Sequence, residues 1–326
     1  MRITRYRENK MDACAAFWWN LYEDMPYVHR PDGGQTVNTP PIGPEYFIKH
    51  LGYGLENLDP SHPNWPGLLS EDDILLAEDN GKICGILVSS QDHEKSTGYI
   101  LSVYVERTAH GREMANNLVD EALHHFSELG FHRAVAAPRL ATMEVESPIH
   151  LSLLDADFAF NRIYSNECYG VFLGGSLEGF QLQPEITAKI DQLEKEGITF
   201  ERILRKDSPD LRRLDTGDEI DPFDEDAECT FVACHRGFVV GSAHGVWIFE
   251  DEGRTLCMVS PFVIPSYRHR GIGKVLQHLG MEEAVRRGAW GGWVATGLDN
   301  PARFIYRSVG YRYWYTCSSD MSKQIR

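Results

Sequence analysis

The chain has 326 residues, of which 42% are hydrophobic, 25% charged and 11% aromatic, which is material for two cores and excludes a disordered, collagen-like or disulfide-stapled chain. Its 32 Lys and Arg against 48 Asp and Glu give a formal charge of -16, which argues against a general nucleic-acid or anionic-membrane surface. No apolar run approaches the roughly 18 residues that span a bilayer, and the start MRITRYRENK lacks a secretory apolar stretch, so a cytoplasmic location is expected.

The first half opens on a helical pattern carrying Trp18, Trp19 and Tyr22, followed by a Pro- and Gly-rich insertion from Met25 to Glu71. Such an insertion is either a lid or specificity loop, or a packed surface excursion. Asn80-Gly81 then predicts a tight hairpin, because both central positions of a type I′ turn need positive φ. An apolar strand ends at Val105, and Met114, Leu118, Ala122, Phe126 and Leu129 recur at helical spacing before Gly130. The polar stretch PEITAKIDQLEKEG, from Pro184 to Gly197, reads as a connecting helix.

The second half repeats the first. Ala77 to Gly85 aligns with Ala233 to Gly241, Val105 to Leu118 with Val263 to Leu276, and Ser147-Pro148 and Asp157-Phe158 with Asn300-Pro301 and Gly310-Tyr311, at nearly constant offsets. Ile272, Val275, Leu276 and Leu279 mark the second long helix, with Gly288 as its stop. The expected fold is α/β, duplicated, with domains at 1–178 and 198–326 and a connector at 179–197. The seven cysteines are scattered without CxxC, and Cys234-His235 has no companion pair at zinc spacing, so reduced thiols and no metal site are expected.

The chemically informative run is Phe262-Val263-Ile264-Pro265-Ser266-Tyr267-Arg268-His269-Arg270-Gly271-Ile272-Gly273-Lys274-Val275-Leu276. Glycines stand where an apolar strand turns into a helix, so backbone N–H groups and the helix N-terminus can surround an anion such as a pyrophosphate, with Arg268, Arg270 and Lys274 supplying charge. A dinucleotide fingerprint is excluded by Leu276, and a P-loop by Val275 after Lys274. The same glycines also suit a plain tight turn between strand and helix.

With Arg268, Gly271 and Gly273 after Val263-Ile264-Pro265, and Asn300-Pro301-Ala302 through Tyr306 to Gly310-Tyr311 further on, the chain resembles the GCN5-related N-acetyltransferase (GNAT) family. That family carries a Q/R-x-x-G-x-G/A loop and a later N-x-x-A-x-x-x-Y-x-x-x-G-F/Y motif. The resemblance implies a tandem GNAT fold, two mixed, mostly antiparallel sheets flanked by helices. It also implies direct transfer of an acetyl group from acetyl-CoA to a primary amine of a small molecule or peptide. By the resemblance, Tyr306 is the general acid, and Phe262, Val263, Ile264, Arg268, His269, Arg270, Gly271, Ile272, Gly273, Lys274 and Asn300 hold the cosubstrate, a backbone N–H near Val263 polarising the carbonyl. Read from residues alone, Tyr306 is one more aromatic on a helix face with Phe304, and Asn300 is a helix N-cap before Pro301. His244, Asp218, Glu219 and Cys257 are the conceivable bases by location, with water as the alternative.

In the first copy His110 stands for Arg268, Glu113 for Gly271, Ala115 for Gly273 and Leu153 for Tyr306. Glu113 puts a negative charge where a phosphate would approach, so this copy is expected to be degenerate. Two other readings remain: a transferase using another acyl donor, and a non-catalytic acyl-CoA sensor. The acceptor pocket is expected among the early helix and the 25–71 insertion, in a monomer or homodimer.

Overall fold

The computed structural model describes residues 1–29, 35–37, 42–56, 70–108, 110–143, 153, 156–160, 170–207, 212–213, 219–220, 227–244, 246–251, 253–297, 300–317 and 321–325. By their contacts they divide into two units. Unit 1 is Met1–Leu173 with Ala295–Asn300 and Arg312–Arg326, and unit 2 is Gly174–Val294 with Pro301–Tyr311.

In unit 1, β1 (Arg2–Arg5) leads into α1 (Met11–Tyr22). The described part of the insertion is a ribbon of β2 (Tyr27–His29) with β3 (Gln35–Val37), and α2 (Pro44–Glu56). Helix α2 buries Phe47 and Leu51, and Tyr46 stacks on Trp18 with ring centroids 6.0 Å apart, so this part of the insertion is core. Then come β4 (Ile74–Asp79), β5 (Lys82–Asp92), β6 (Thr97–Val105), α3 (Gly111–Glu128), β7 (Arg133–Met143) and β8 (Ala159–Phe160). Asn80 and Gly81 take φ of 49° and 80°, as the hairpin requires. Met114, Leu118, Ala122 and Phe126 on α3 are buried against the sheet, the three large side chains contributing on the order of 1–3 kcal/mol each. Leu129, expected on that face, is 39% exposed because α3 stops at Glu128 and turns through Gly130 at φ 75°.

The chain passes into unit 2 within β9 (Gly170–Ser176) and goes on to α4 (Pro184–Lys195), β10 (Ile198–Leu204) and a short ribbon of β11 (Arg212–Arg213) with β12 (Glu219–Ile220). The strands β13 (Cys229–His235), β14 (Phe238–Ser242), β15 (Val246–Asp251), β16 (Arg254–Val259) and β17 (Phe262–Val263) come next, then α5 (Ile272–Arg286), β18 (Gly291–Gly297) and α6 (Ala302–Ser308). They build a four-stranded sheet in the order β10-β13-β14-β17, while β15, β16 and β18 stand side by side in a second sheet. The connector of the sequence reading is structural: Ile186 and Leu193 of α4 are buried in one cluster with Ile264, Ile272, Val275 and Leu276.

The repeat holds to the register. Ala77 pairs with Gly85 and Ala233 with Gly241, and the ladder shifts immediately after each alanine. Gly85 lies opposite Val105 and Gly241 opposite Val263. A Cβ at either glycine would come within 3.1 Å of the leucine of the following helix, Leu118 or Leu276. The same close approach of helix to sheet therefore demands glycine twice.

The division by contacts departs from contiguous domains at the last strands. The chain ends in β19 (Arg312–Cys317) and β20 (Met321–Gln324), and β20 pairs antiparallel with β7 and β8 inside unit 1. The Gly174–Ser176 end of β9 lies in unit 2, where β9 neighbours β18. Copies built to one pattern can exchange a terminal strand, because the ladder reads backbone rather than sequence. Among the described residues, no helix is long and apolar enough to cross a membrane.

Candidate functional site

The site grows from a bend. The ladder of β15 with β16 ends at Val246 opposite Val259, and β14 with β17 resumes at Ser242 opposite Phe262 in the other sheet. Between them, His244 takes φ 53° and donates its N–H to Ser242 Oγ at 3.0 Å, and Pro261 brings no N–H to a ladder. The parallel pairing of β16 with β18 covers Leu256 opposite Gly291 and Cys257 opposite Gly292. Beyond it the strands part, and β17 forms an edge of the four-stranded sheet.

At that edge Ile264 donates its N–H to Val240 O at 3.1 Å, toward β14. Strand alternation therefore turns the Val263 N–H and carbonyl to the free side, where Arg268 Nε donates to Val263 O at 3.0 Å. After a 3-10 turn at Pro265–Tyr267, His269 and Gly271 take φ of 62° and 92°, and Gly271 caps α5. The first N–H groups of α5 have no partner within the helix, which gives its start a positive character.

The two glycines have more specific duties than clearing space. Gly271 is required by its left-handed backbone, and a Cβ there would lie 2.6 Å from Lys189 Cε. Gly273 is buried, where a Cβ would meet Ile305 Cδ1 at 3.2 Å and Val263 Cγ2 at 3.5 Å. Phe262 and Val263 are half-buried, while Ile264 and Ile272 are 1% exposed core residues that offer backbone alone. Arg268 and His269 are exposed. Arg270 Nη2 donates to Glu196 Oε2 at 2.5 Å, and Lys274 Nζ to Glu185 Oε1 at 2.7 Å. Hydrogen bonds from Lys274 and Arg270 hold the Glu185 and Glu196 carboxyls below the usual range. His235, paired with Cys234 in the sequence reading, instead has Nδ1 2.6 Å from Tyr267 Oη.

Tyr306 lies on α6, 2% exposed, with its Oη 3.3 Å from Ser260 Oγ at the bend. Burial pushes its phenol up, and the Ser260 hydrogen bond opposes the shift, so the proton stays on oxygen at neutral pH. Sequence reasoning missed Ser260, Lys189, Glu185 and Glu196. A serine beside Pro261, aligned with Ser102 of the first copy, was the available signal for the first of these.

Asn300 is exposed, and its N–H donates to Gly297 O at 3.0 Å. It is not the N-cap: Pro301 holds that position, without a side-chain capping bond, and α6 begins one residue later. Of the bases, Cys257 drops out, because full burial against Tyr311 and Met281 raises its thiol to about 12. His244 stands at the bend with its ring edge-on to Phe262, centroids 5.5 Å apart. Glu219 is in the β11–β12 ribbon, and Asp218 lies outside the described residues. In the first copy Leu153 is 1% exposed, and exposed His110 and Glu113 pair loosely at 3.9 Å.

The model of the acetyltransferase (GNAT) family matches residues 46–145 and 198–311. Among solved structures, a tandem GNAT protein from the clavulanic acid biosynthesis pathway is 11% identical over 100% of this chain and 99% of that one, with a TM-score of 0.36. A GCN5-related N-acetyltransferase from Sphaerobacter thermophilus is 14% identical over 100% and 96%, with a TM-score of 0.31. A GCN5-related glucosamine N-acetyltransferase region of a fungal multi-domain GH3 β-N-acetylglucosaminidase is 18% identical at a TM-score of 0.34, and this chain covers 38% of that one. No curated protein matches.

Proposed function

Because the chain belongs to the GNAT acetyltransferase family, which matches it in two successive regions, we propose that it transfers an acetyl group directly from acetyl-CoA to a primary amine of a small molecule or peptide. The second copy does this work and the first is degenerate. The observation that carries the reading is Tyr306, a buried phenol that keeps its proton and touches Ser260 where β16 leaves β18.

The residues present fit acetyl-CoA. The free edge of β17 suits pairing with the amides of its pantetheine arm, and the start of α5 with Arg268, Arg270 and Lys274 suits its phosphates. Phe262, Val263, Ile264, His269, Gly271, Ile272, Gly273 and Asn300 complete the contacts expected of them. Acetyl-CoA supplies an activated acyl carbon and a thiolate as leaving group. Val263 N–H, turned to the free edge, stabilises negative charge on the acyl oxygen. Tyr306 Oη holds the proton that the thiolate takes, and Ser260 Oγ orients that hydroxyl. His244, at the bend, is the candidate of the four that stands beside Phe262 of β17, and it takes the proton from the amine, directly or through water.

Calorimetric titration of the full chain with acetyl-CoA, followed by an amine screen with Tyr306→Phe as control, tests the reading. One site per chain and turnover lost in the variant are expected. No binding by folded protein would overturn it, and two sites would show that the first copy is not degenerate.

A further inference from the structure

Helix α4 lies outside both regions matched by the family, and its sequence reads as a polar connector. Yet one stripe of it runs along the glycine loop. Glu185, Lys189, Gln192 and Glu196 recur at spacings of four, three and four residues, which places them on one helical face. Glu185 binds Lys274, the Lys189 stem covers Gly271, Lys189 Nζ donates to Gln192 Oε1 at 3.1 Å, and Gln192 Nε2 donates to Glu196 Oε1 at 2.9 Å. Glu196 binds Arg270. The stripe is held in place rather than laid on by chance, since Ile186 and Leu193, flanking Lys189 on adjoining helical positions, are buried with Ile272, Val275 and Leu276 of α5.

Resting on the acetyl-CoA reading, we propose that α4 is part of the phosphate site: Lys189 is a further binding residue for the phosphates, and Glu185 and Glu196 are internal anions that hold Lys274 and Arg270 at the loop until the phosphates displace them. The chemistry favours this exchange. The pairs are partly exposed, with side-chain accessibilities of 39% and 62% for Lys274 and Glu185 and 36% and 37% for Arg270 and Glu196. Such pairs contribute little and are screened, whereas a polyphosphate gathers several charges and also meets the start of α5. A lysine whose stem lies where a Cβ of the capping glycine would stand needs only a rotamer change to bring its ammonium to an anion there. The first copy has Glu113 at the position of Gly271.

The test is calorimetric titration of full-length protein with acetyl-CoA and with S-acetylpantetheine, which lacks the phosphates. Lys189→Gln should bind acetyl-CoA about tenfold more weakly, with a shallower salt dependence, and S-acetylpantetheine unchanged. Lys189→Arg should restore the affinity, and Glu185→Gln with Glu196→Gln should tighten acetyl-CoA binding several-fold at low salt. Unchanged acetyl-CoA affinity in folded Lys189→Gln overturns the role of α4 and leaves the acetyl-CoA reading standing. Loss of affinity for both ligands alike also overturns it, as a structural effect. Absence of acetyl-CoA binding by the wild type overturns both.

Discussion

The two copies share a hairpin, a bulge and a glycine under a leucine, and differ in what β6 and its counterpart β16 do next. In the first copy β6 pairs with β7 from Thr97 opposite Arg133 to Ile100 opposite Ala136, slips register there, and pairs again from Ser102 opposite Ala141 to Tyr104 opposite Met143. In the second, β16 and β18 share Leu256 with Gly291 and Cys257 with Gly292, and then part. Pro261 aligns with Val103, which is paired with Thr142, so one proline falls where the first copy, after its slip, takes its ladder up again. A residue without an N–H is tolerated at an edge or a bulge and not in a central strand. The parting of β16 from β18 thus goes with a backbone defect, and the proposed catalytic residue Tyr306 touches Ser260 beside it. The second copy has Tyr306 where the first has Leu153.

Removing the Tyr306 hydroxyl breaks the comparison most sharply, because it makes the second copy resemble the first at one atom. Tyr306→Phe should lower kcat about 100-fold while acetyl-CoA affinity stays within about twofold. Because burial raises this phenol above its usual value of 10, the wild-type rate should not fall on the alkaline side of neutrality through loss of this proton. A decline set by Tyr306 belongs above pH 10, and a fall near pH 8 that vanishes in the variant would contradict the assignment.

The paired glycines give a smaller effect on stability. A Cβ at Gly241 would meet a backbone atom, Phe262 O, at 2.9 Å, whereas at Gly85 it meets side chains alone, Leu118 and Met114 at 3.1 Å and Ala77 Cβ at 3.2 Å. Gly241→Ala should therefore cost about 2–3 kcal/mol and Gly85→Ala about 1 kcal/mol in denaturant titrations, with acetyl-CoA binding weakened in the first variant alone. Equal losses would mean that β17 is no more constrained than β6.

A titration separates the copies as well. His278 is fully buried with Nε2 3.1 Å from Ser308 Oγ, and burial pushes it down to about 4, with Lys274 adding to the shift. Its counterpart in the alignment is exposed Asp120. A histidine held neutral by the fold supports it fully above its ordinary value near 6.5 and loses that support as pH falls toward about 4, at up to about 1.4 kcal/mol per unit. Burial also pushes His125 of α3 down, though less, so hydrogen exchange should show α5 loosening more than α3 between pH 6 and 4, and His278→Gln should remove the excess.

Sequence carried the repeat, both long helices, the hairpin turns and the loop, since each rests on local periodicity or on φ preferences at Asn80, Gly81 and Gly271. What it could not carry is pairing at a distance. Nothing local says that β20 joins β7, because one β-strand's backbone serves as well as another's. Lys189 and Glu196 read as solvated helix charges until α4 is packed on α5. Ser260 is an ordinary serine until the bend brings it to Tyr306.

That serine gives the finest contrast, because Ser102 aligns with it and both copies therefore carry the same hydroxyl, in β6 and just after β16. Ser260 Oγ meets Tyr306, whereas Ser102 Oγ is fully buried without a hydrogen-bond partner among the described residues, in the copy that has Leu153 in the tyrosine's place. A buried hydroxyl that bonds nothing pays a desolvation penalty with no return, so Ser102→Ala should leave stability within about 0.5 kcal/mol of wild type or raise it, with turnover unchanged. Ser260→Ala should reduce kcat about tenfold by freeing the phenol to turn, and should do nothing further in a Tyr306→Phe background. If the two serine variants behaved alike in both assays, the Ser260–Tyr306 contact would be packing, and the difference between the copies would reduce to the bend at Pro261.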